Sequence, residues 1–169
     1  VQLLAEEQNS NPELEYLISN REMWFIPVVN PDGYAYNESI EPTGGGMHRK
    51  NRLNTNCGNG SNRGVDLNRN YGFGWGSNDI GSSPNPCSAT YRGDVEFSEP
   101  ETQAVRDFII NHDFNNVLHY HCYSNIYIHP WGNGSIPEEP DSSTLVDIGR
   151  EMARYNGYPV GTGLSTIGY

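Results

Sequence analysis

Apolar runs alternate with helix-forming segments along this chain, and that alternation constrains the fold more than any other feature. Three short apolar segments are predicted strands: residues 21–30, 64–68 and 117–123. Three amphipathic segments are predicted helices: residues 11–20, 97–113 and 142–157. Strands that alternate with helices in this way predict an α/β fold with a largely parallel sheet.

Local signals predict where some of these elements begin. The segment Asn30–Gly33 has the composition of a tight turn after the first strand. Ser98, with Glu101 three residues later and Pro100 in the first turn, predicts an N-cap and a capping box. Residues 38–64 lack any periodicity, and a loop of that length in a compact domain is usually functional.

Length and charge limit the classes of function. The 169 residues, 35% of them hydrophobic, suit one domain that spans residues 1–169. A formal net charge of -11 argues against nucleic acid and anionic membranes as partners, because binding phosphates requires a basic face. We also find no apolar run long enough to predict a membrane span.

The cysteines bear on the compartment. Cys57 and Cys87 lie in polar, turn-rich loops, whereas Cys122 lies in an apolar predicted strand. A Cys57–Cys87 disulfide, with Cys122 free and buried, is plausible in an oxidising compartment. Three unrelated thiols remain the alternative. With the abundance of Gly, Tyr, Asn and Ser, this pattern favours a secreted or extracellular protein, with the periplasm also open.

Polar residues gather where the predicted strands end, which is where ligands bind in α/β sheets. Asn68-Arg69 follows the second strand and has the donors of a carboxylate clamp, although Arg69 could instead pair with an aspartate and tie the loop down. In the basic segment 47–52, Arg49 or Arg52 could stabilise a developing negative charge, or these residues could be solvated loop charges.

His119 and His121 fall on the same face of the third predicted strand, because side chains alternate along a strand. A His-x-His pair can bind one metal ion. A histidine on a buried strand is, however, also commonly a hydrogen-bonded core residue, and no His-Glu-x-x-His motif supplies partners.

Taken in order, several short motifs resemble the zinc metallocarboxypeptidases of the carboxypeptidase A type. They are VVNPDGYAYN, HRKNR, GVDLNRNYGFGWG, NPCSATYRG, FSEPETQAVRDFI, LHYHCYSN, IHPWG and GLSTIGY. The motif VDLNRNYGFGWG, with TYRG and FSEPET, is most similar to the bacterial carboxypeptidase T-like branch. The resemblance spans nearly the whole chain and implies three layers, with a mixed, largely parallel central sheet flanked by helices.

The resemblance also implies a zinc site. His121 matches the zinc ligand on a central strand, and His119 is then a neighbour of that ligand. Asp66 matches a carboxylate that hydrogen-bonds a zinc-ligating histidine, which fixes the tautomer of the ring. Cys57 and Cys87 match a disulfide of the family.

Further matches concern the substrate. Asn68 and Arg69 match the pair that grips the C-terminal carboxylate, and Arg49 matches the arginine that stabilises the oxyanion. Tyr123 matches a substrate-contacting tyrosine. Tyr169 matches the mobile tyrosine that closes over the bound terminus.

Two parts of the family's site have no counterpart in this sequence: a His-x-x-Glu zinc motif and a general-base glutamate. The resemblance places the first before Val1 and the second after Tyr169, so we expect a catalytic domain truncated at both ends. These 169 residues alone are expected to bind zinc weakly and to hydrolyse nothing. The complete protein is expected to remove C-terminal residues from peptides and proteins. The alternatives are a non-catalytic module that binds peptide C-termini, or a carbohydrate-binding domain.

Overall fold

The computed structural model describes every residue except Val1, Gln8, Gly168 and Tyr169. Its helices are α1 (Gln2–Glu7), α2 (Pro12–Asn20), α3 (Pro31–Ile40), α4 (Pro100–Ile110), α5 (Asp141–Met152) and α6 (Gly163–Ile167), with a 3₁₀ turn at Leu67–Arg69. Its strands are β1 (Tyr127–Ile128) and β2 (Val160–Gly161). None of the described helices combines the length and the hydrophobicity that crossing a bilayer requires.

The strands and α5 form a parallel β–α–β unit. Tyr127 of β1 lies opposite Val160 of β2, and α5 connects the two strands along the chain. Gly149 lets α5 approach β2 closely, because a Cβ atom at this position would lie 2.6 Å from a methyl group of Val160. This unit agrees with the predicted α/β class. The predicted three layers and large central sheet do not appear in the described residues, which form one sheet of two strands.

None of the three predicted strands is a strand in the structure. Residues 21–30 and 117–123 have no regular secondary structure and form no ladder with any described segment, and residues 64–68 run into the 3₁₀ turn. A strand is stable only when its backbone N–H and C=O groups pair with a neighbour. Apolar side chains on the unpaired segments consequently lie half exposed, as at Trp24 and Leu118.

Helix starts were predicted with mixed success. α2 begins as expected, since Asn11 Oδ1 accepts hydrogen bonds from the backbone N–H groups of Glu13 and Leu14. The predicted turn at Asn30–Gly33 is instead the start of α3, where Asn30 is the N-cap. The predicted N-cap at Ser98 is also wrong: Glu99 occupies that position without a side-chain cap.

Polar side chains dominate the interior of the described residues. The buried apolar side chains are Val65, Leu67, Tyr91, Val105 and Ala153. We use the name buried polar cluster for six side chains that are nearly inaccessible to solvent: Lys50, Asn51, Asp66, Asn70, Glu99 and Thr102. Because a buried polar group without a partner is costly, this interior depends on hydrogen bonds as much as on apolar contact.

Asn70 is the centre of that cluster and explains the position of Ser98. Asn70 Nδ2 donates to the carbonyl oxygens of Arg92 and Val95 at 2.8 and 3.0 Å, and to Ser98 Oγ at 2.9 Å. Its Oδ1 accepts from Thr102 Oγ1 at 2.7 Å. The Ser98 hydroxyl is therefore directed toward Asn70 and donates to the Glu99 carboxylate, so it is not available to cap α4.

Candidate functional site

The first candidate contact joins Arg49 to Asp66. Arg49 Nε lies 2.9 Å from Asp66 Oδ2, with the arginine side chain 45% exposed and the aspartate side chain 1% exposed. This is an ion-pair contact, but Oδ2 accepts no well-aligned hydrogen bond from any described residue. Asp66 Oδ1 accepts from the backbone N–H of Asn68 at 3.2 Å. Arg49 is thus partly exposed to solvent while its guanidinium group contacts the buried carboxylate of Asp66.

Burial raises the pKa of the Asp66 carboxyl above its ordinary value, and the guanidinium groups of Arg49 and Arg69 oppose that rise. Apart from the Arg49 contact, Oδ2 has no aligned donor among the described residues, and the resemblance assigns this carboxylate to orient a histidine ring.

The 3₁₀ turn brings Asn68 and Arg69 beside this pair. Arg69 is half buried, and its Nε donates to the carbonyl oxygen of Gly81 at 2.6 Å while Nη1 donates to the carbonyl oxygen of Asn68 at 3.1 Å. The Asn68 residue is exposed. Asn68 and Arg69 themselves line, with Tyr71 and Ser82, a cavity of about 190 Å³ that opens to solvent.

His121 lies within electrostatic reach of the same groups. Partial desolvation lowers the pKa of its imidazole, and the neighbouring His119 and Arg49 act in the same direction. The neutral ring is the form that binds metals. Both histidines are exposed, so the alternative of a hydrogen-bonded core histidine does not describe either of them.

The two tyrosines predicted to contact substrate are not joined to this group. Tyr123 is 85% exposed, and no hydrogen bond or ring contact connects it to another described residue. Tyr169 lies outside the described residues.

The described residues do not by themselves fit a catalytic zinc ion. Catalytic zinc takes three protein ligands, and nowhere in the part of the chain that the structure describes do three His, Cys, Asp or Glu side chains converge as a metal site. Among side chains of this kind, His119, two residues earlier, and Asp66 act electrostatically on the His121 ring.

The cysteines follow the sequence prediction in one respect and depart from it in another. Cys57 and Cys87 form a disulfide with their Cα atoms 5.3 Å apart. Cys122 is free, as predicted, but it is exposed rather than buried. The prediction of burial failed because the strand that was to carry Cys122 has no neighbour among the described residues.

The structure also separates the two arginines of the basic segment. Arg52 lies over the ring of Tyr36, at 3.8 Å from its centroid, and donates to the carbonyl oxygens of Asn59 and Gly60. Arg52 is therefore a loop residue, whereas Arg49 faces the candidate site.

Sequence reasoning missed Lys50 and Asn70. Both are buried and bind backbone carbonyl groups from distant segments. Asn70 gave no signal beyond its place next to Asn68-Arg69, and Lys50 looked like one more charge in a basic loop.

Comparisons with known proteins agree on one family. A family model described as zinc carboxypeptidase matches residues 1–163. Carboxypeptidase B of Bos taurus is 39% identical over 153 residues, which are 86% of this chain and 35% of that protein. The crystal structure of the carboxypeptidase A from Helicoverpa armigera superposes with a TM-score of 0.68 at 34% identity, covering 83% of this chain and 35% of that one.

A further relative is described as inactive. The inactive metallocarboxypeptidase of Sclerotinia sclerotiorum is 30% identical over 153 residues, which are 85% of this chain and 24% of that protein. The chain spans half or less of the length of these relatives.

Proposed function

The chain belongs to the zinc carboxypeptidase family, and on that basis we propose that the complete protein hydrolyses the C-terminal residue from peptides and proteins. The observation that carries the proposal is the grouping of Arg49, Asp66 and Arg69 around the exposed Asn68, with His121 in electrostatic reach. Such a group offers several donors to the anionic end of a peptide.

In this proposal Asn68 and Arg69 bind the terminal carboxylate of the substrate. The backbone contacts of Arg69 with Gly81 and Asn68 fix its orientation, so little side-chain entropy is lost on binding. Each charge-assisted hydrogen bond to the carboxylate should contribute about 1.5–3 kcal/mol.

Arg49 is assigned the role of stabilising the negative charge that develops on the scissile carbonyl oxygen. Its contact with the buried Asp66 holds the guanidinium in place while nearly half of the side chain stays open to solvent. Tyr123 and Tyr169 are assigned contacts with the bound peptide, and these two roles rest on the resemblance alone.

Zinc remains part of the proposal through the family. His121 is the assigned ligand, and Asp66 the carboxylate that orients another ligating histidine. In the complete protein His121, together with ligands that the described residues do not supply, would hold the ion, which would supply polarisation of a carbonyl group and activation of water. Since the described residues do not complete the site, the 169-residue chain alone should bind zinc weakly; stoichiometric, tightly held zinc in metal analysis of that chain would contradict this assignment.

The finer assignments have weaker support. The Cys57–Cys87 disulfide favours a secreted, extracellular or periplasmic location. The bacterial carboxypeptidase T-like branch stays a prediction from the motif VDLNRNYGFGWG, and the absence of nucleic-acid and membrane partners stays a prediction from charge.

A second candidate is a non-catalytic module that binds peptide C-termini. One observation favours it: the chain is 30% identical in sequence to a metallocarboxypeptidase described as inactive. Such a module would use the same Asn68 and Arg69 clamp without turnover.

Substitution of Arg69 by Ala in the complete protein tests the clamp. Loss of charge-assisted bonds should lower kcat/KM for peptides with a free C-terminus by about 10- to 100-fold, with zinc content unchanged. The matched control is Arg106→Ala, which removes an arginine from the exposed side of α4. Equal loss of zinc and of turnover would show that Arg69 is structural. A wild-type protein that binds free C-termini without cleaving them would support the second candidate.

A further inference from the structure

Lys50, the residue next to Arg49, has an environment that is unusual for lysine. Its side chain is 1% exposed, and it forms no ion pair with any described carboxylate. Instead Nζ donates three hydrogen bonds to backbone carbonyl oxygens, those of Asn62 at 2.7 Å, Pro86 at 3.1 Å and Ser88 at 2.8 Å. All three ammonium protons are therefore used.

Those carbonyl groups belong to the two loops that the disulfide joins. Asn62 lies five residues after Cys57, and Pro86 and Ser88 flank Cys87 directly. The lysine ammonium and the disulfide thus fasten the same two loops together. Burial lowers the pKa of Lys50 because removal from water disfavours the charged ammonium group. The negative charge of Asp66 partly opposes this shift.

The backbone on each side of Arg49 is also fixed. The amide and carbonyl of His48 both bind the side chain of Asn37, at 2.9 and 2.8 Å. Asn30 Nδ2 donates to the carbonyl oxygen of Lys50 at 3.0 Å. Within residues 48–51, Arg49 is the one exposed residue.

The next position adds a steric constraint. The backbone of Asn51 bonds that of Val65 at 2.9 Å and runs so close to Gly64 that any Cβ atom there would clash with the Asn51 carbonyl oxygen. Gly64 has φ +99, a conformation that suits glycine. Segment 48–51 is consequently held on both of its backbone edges, and Lys50 connects it to the disulfide-linked loops.

We propose that Lys50 is a positioning residue for Arg49: its three hydrogen bonds fix the segment from which Arg49 reaches Asp66 and the substrate. This inference rests on the proposed function, because it assigns Lys50 to the stabilisation of charge in the reaction. A lysine that only stabilised the fold would affect unfolding but would not act through Arg49.

A double-mutant cycle in the complete, zinc-loaded protein tests the proposal through Lys50→Met, Arg49→Ala and the double variant. Lys50→Met should lower kcat by about 10- to 100-fold with KM changed little, since displacement of a catalytic group by an ångström has effects of this size. In the Arg49→Ala background, Lys50→Met should have almost no further effect. Fully additive losses would overturn the proposal.

Arg52→Met is the matched control. It also removes a cation that binds carbonyl groups of the 53–63 loop, but one that does not reach the 82–90 loop. Its kcat should stay within about twofold of wild type, as expected for a substitution outside the site. If Arg52→Met lowered kcat as much as Lys50→Met does, any loosening of the 53–63 loop would explain the effect, and no role specific to Lys50 would remain.

A readout independent of turnover separates this inference from the proposed function. The chemical shift of the Arg49 Nε–H group in ¹H–¹⁵N NMR spectra reports its contact with Asp66, so the signal should keep its wild-type position in Arg52→Met and shift or broaden in Lys50→Met. An unchanged signal in Lys50→Met would overturn the positioning role even if the enzyme is active. Absence of turnover in wild type would refute the proposed function and leave the NMR test valid. If Lys50→Met does not fold, Lys50→Gln, which keeps N–H donors, serves in the same cycle.

Discussion

The buried polar cluster contrasts with two segments that pair with no described strand, residues 21–28 and 117–125, which we call the unpaired segments. The cluster is rich in groups that normally seek water, yet it is almost inaccessible to solvent, and most of its polar atoms have hydrogen-bond partners. The unpaired segments carry Trp24, Phe25, Ile26 and Leu118, yet these side chains lie about half exposed. The comparison teaches that burial in this chain follows hydrogen-bond connectivity, because apolar segments without a sheet neighbour keep only partial packing, such as the ring contacts of Trp24 with Phe108 and His112.

The candidate site is divided between these two regions. Asp66 belongs to the cluster and Arg49 and Arg69 lie beside it, whereas His121 and Tyr123 lie on an unpaired segment. The proposed carboxylate clamp therefore has a fixed frame within the described residues, and the proposed metal ligand does not.

The largest expected effect is at the centre of the cluster. Asn70→Ala in the 169-residue chain should lower the free energy of unfolding by about 3–5 kcal/mol, because several buried donors and acceptors lose their partner together. Urea denaturation measures the change. The matched control is the neighbouring Asn68→Ala, which removes the same amide from an exposed position and should cost less than about 0.5 kcal/mol. Similar losses for both would mean that the cluster is not the stabilising region.

A second pair of variants compares apolar residues from the two regions. Val65 is 0% exposed and Ile26 is 49% exposed. Val65→Ala should cost about 2 kcal/mol through lost burial and a cavity, and Ile26→Ala less than about 1 kcal/mol although it removes more atoms. Thermal and urea unfolding of the 169-residue chain measure both. If the order were reversed, segment 21–28 would be packed in solution and the contrast between the regions would fail.

The smallest effect concerns pH. Burial lowers the pKa of His48 below its ordinary value of 6.5, and the charges of Arg52 and Lys50 act in the same direction. A lowered histidine pKa means that the unfolded chain binds more protons, so stability is complete above about pH 6.5 and is lost as the pH falls through the folded-state value. The slope of the free energy of unfolding against pH across this range should be smaller in His48→Gln and unchanged in His129→Gln; the slope that remains in His48→Gln is expected from His121, whose pKa is also lowered. A wild-type slope that survives in His48→Gln would assign the pH dependence to another group.

The sequence predicted well whatever depends on neighbours along the chain. Asn11-Pro12 begins a helix because an Asn side chain and a following Pro suit the first turn whatever lies further away. The Cys57–Cys87 bridge was also foreseeable, since both cysteines lie in polar loops.

Predictions failed where the outcome depends on a distant partner. Residues 117–123 have the pattern of a buried strand, but strand formation requires a paired neighbour that no described segment provides. Ser98 had the signature of an N-cap, but the side chain of Asn70, 28 residues earlier, redirects its hydroxyl. The environment of Lys50 was equally unpredictable, because its partners are backbone carbonyl groups, which carry no signal in a sequence.

For the candidate site, the sequence motifs predicted which residues come together but not which residues hold them in place. Asn68, Arg69, Asp66 and Arg49 do come together in the structure. Nothing in their spacing showed that Lys50 anchors the segment that carries Arg49.

The short stretch from Asp66 to Asn70 has a practical consequence for protein engineering. Asn68 is open to solvent, while Asp66 and Asn70, two positions to either side, are almost inaccessible to solvent. If Asn68 belongs to the proposed clamp, a library that randomises it should return mostly soluble variants with altered recognition of peptide termini. One that randomises Asn70 should return mostly aggregates, so loss of activity there reports on folding and says nothing about chemistry.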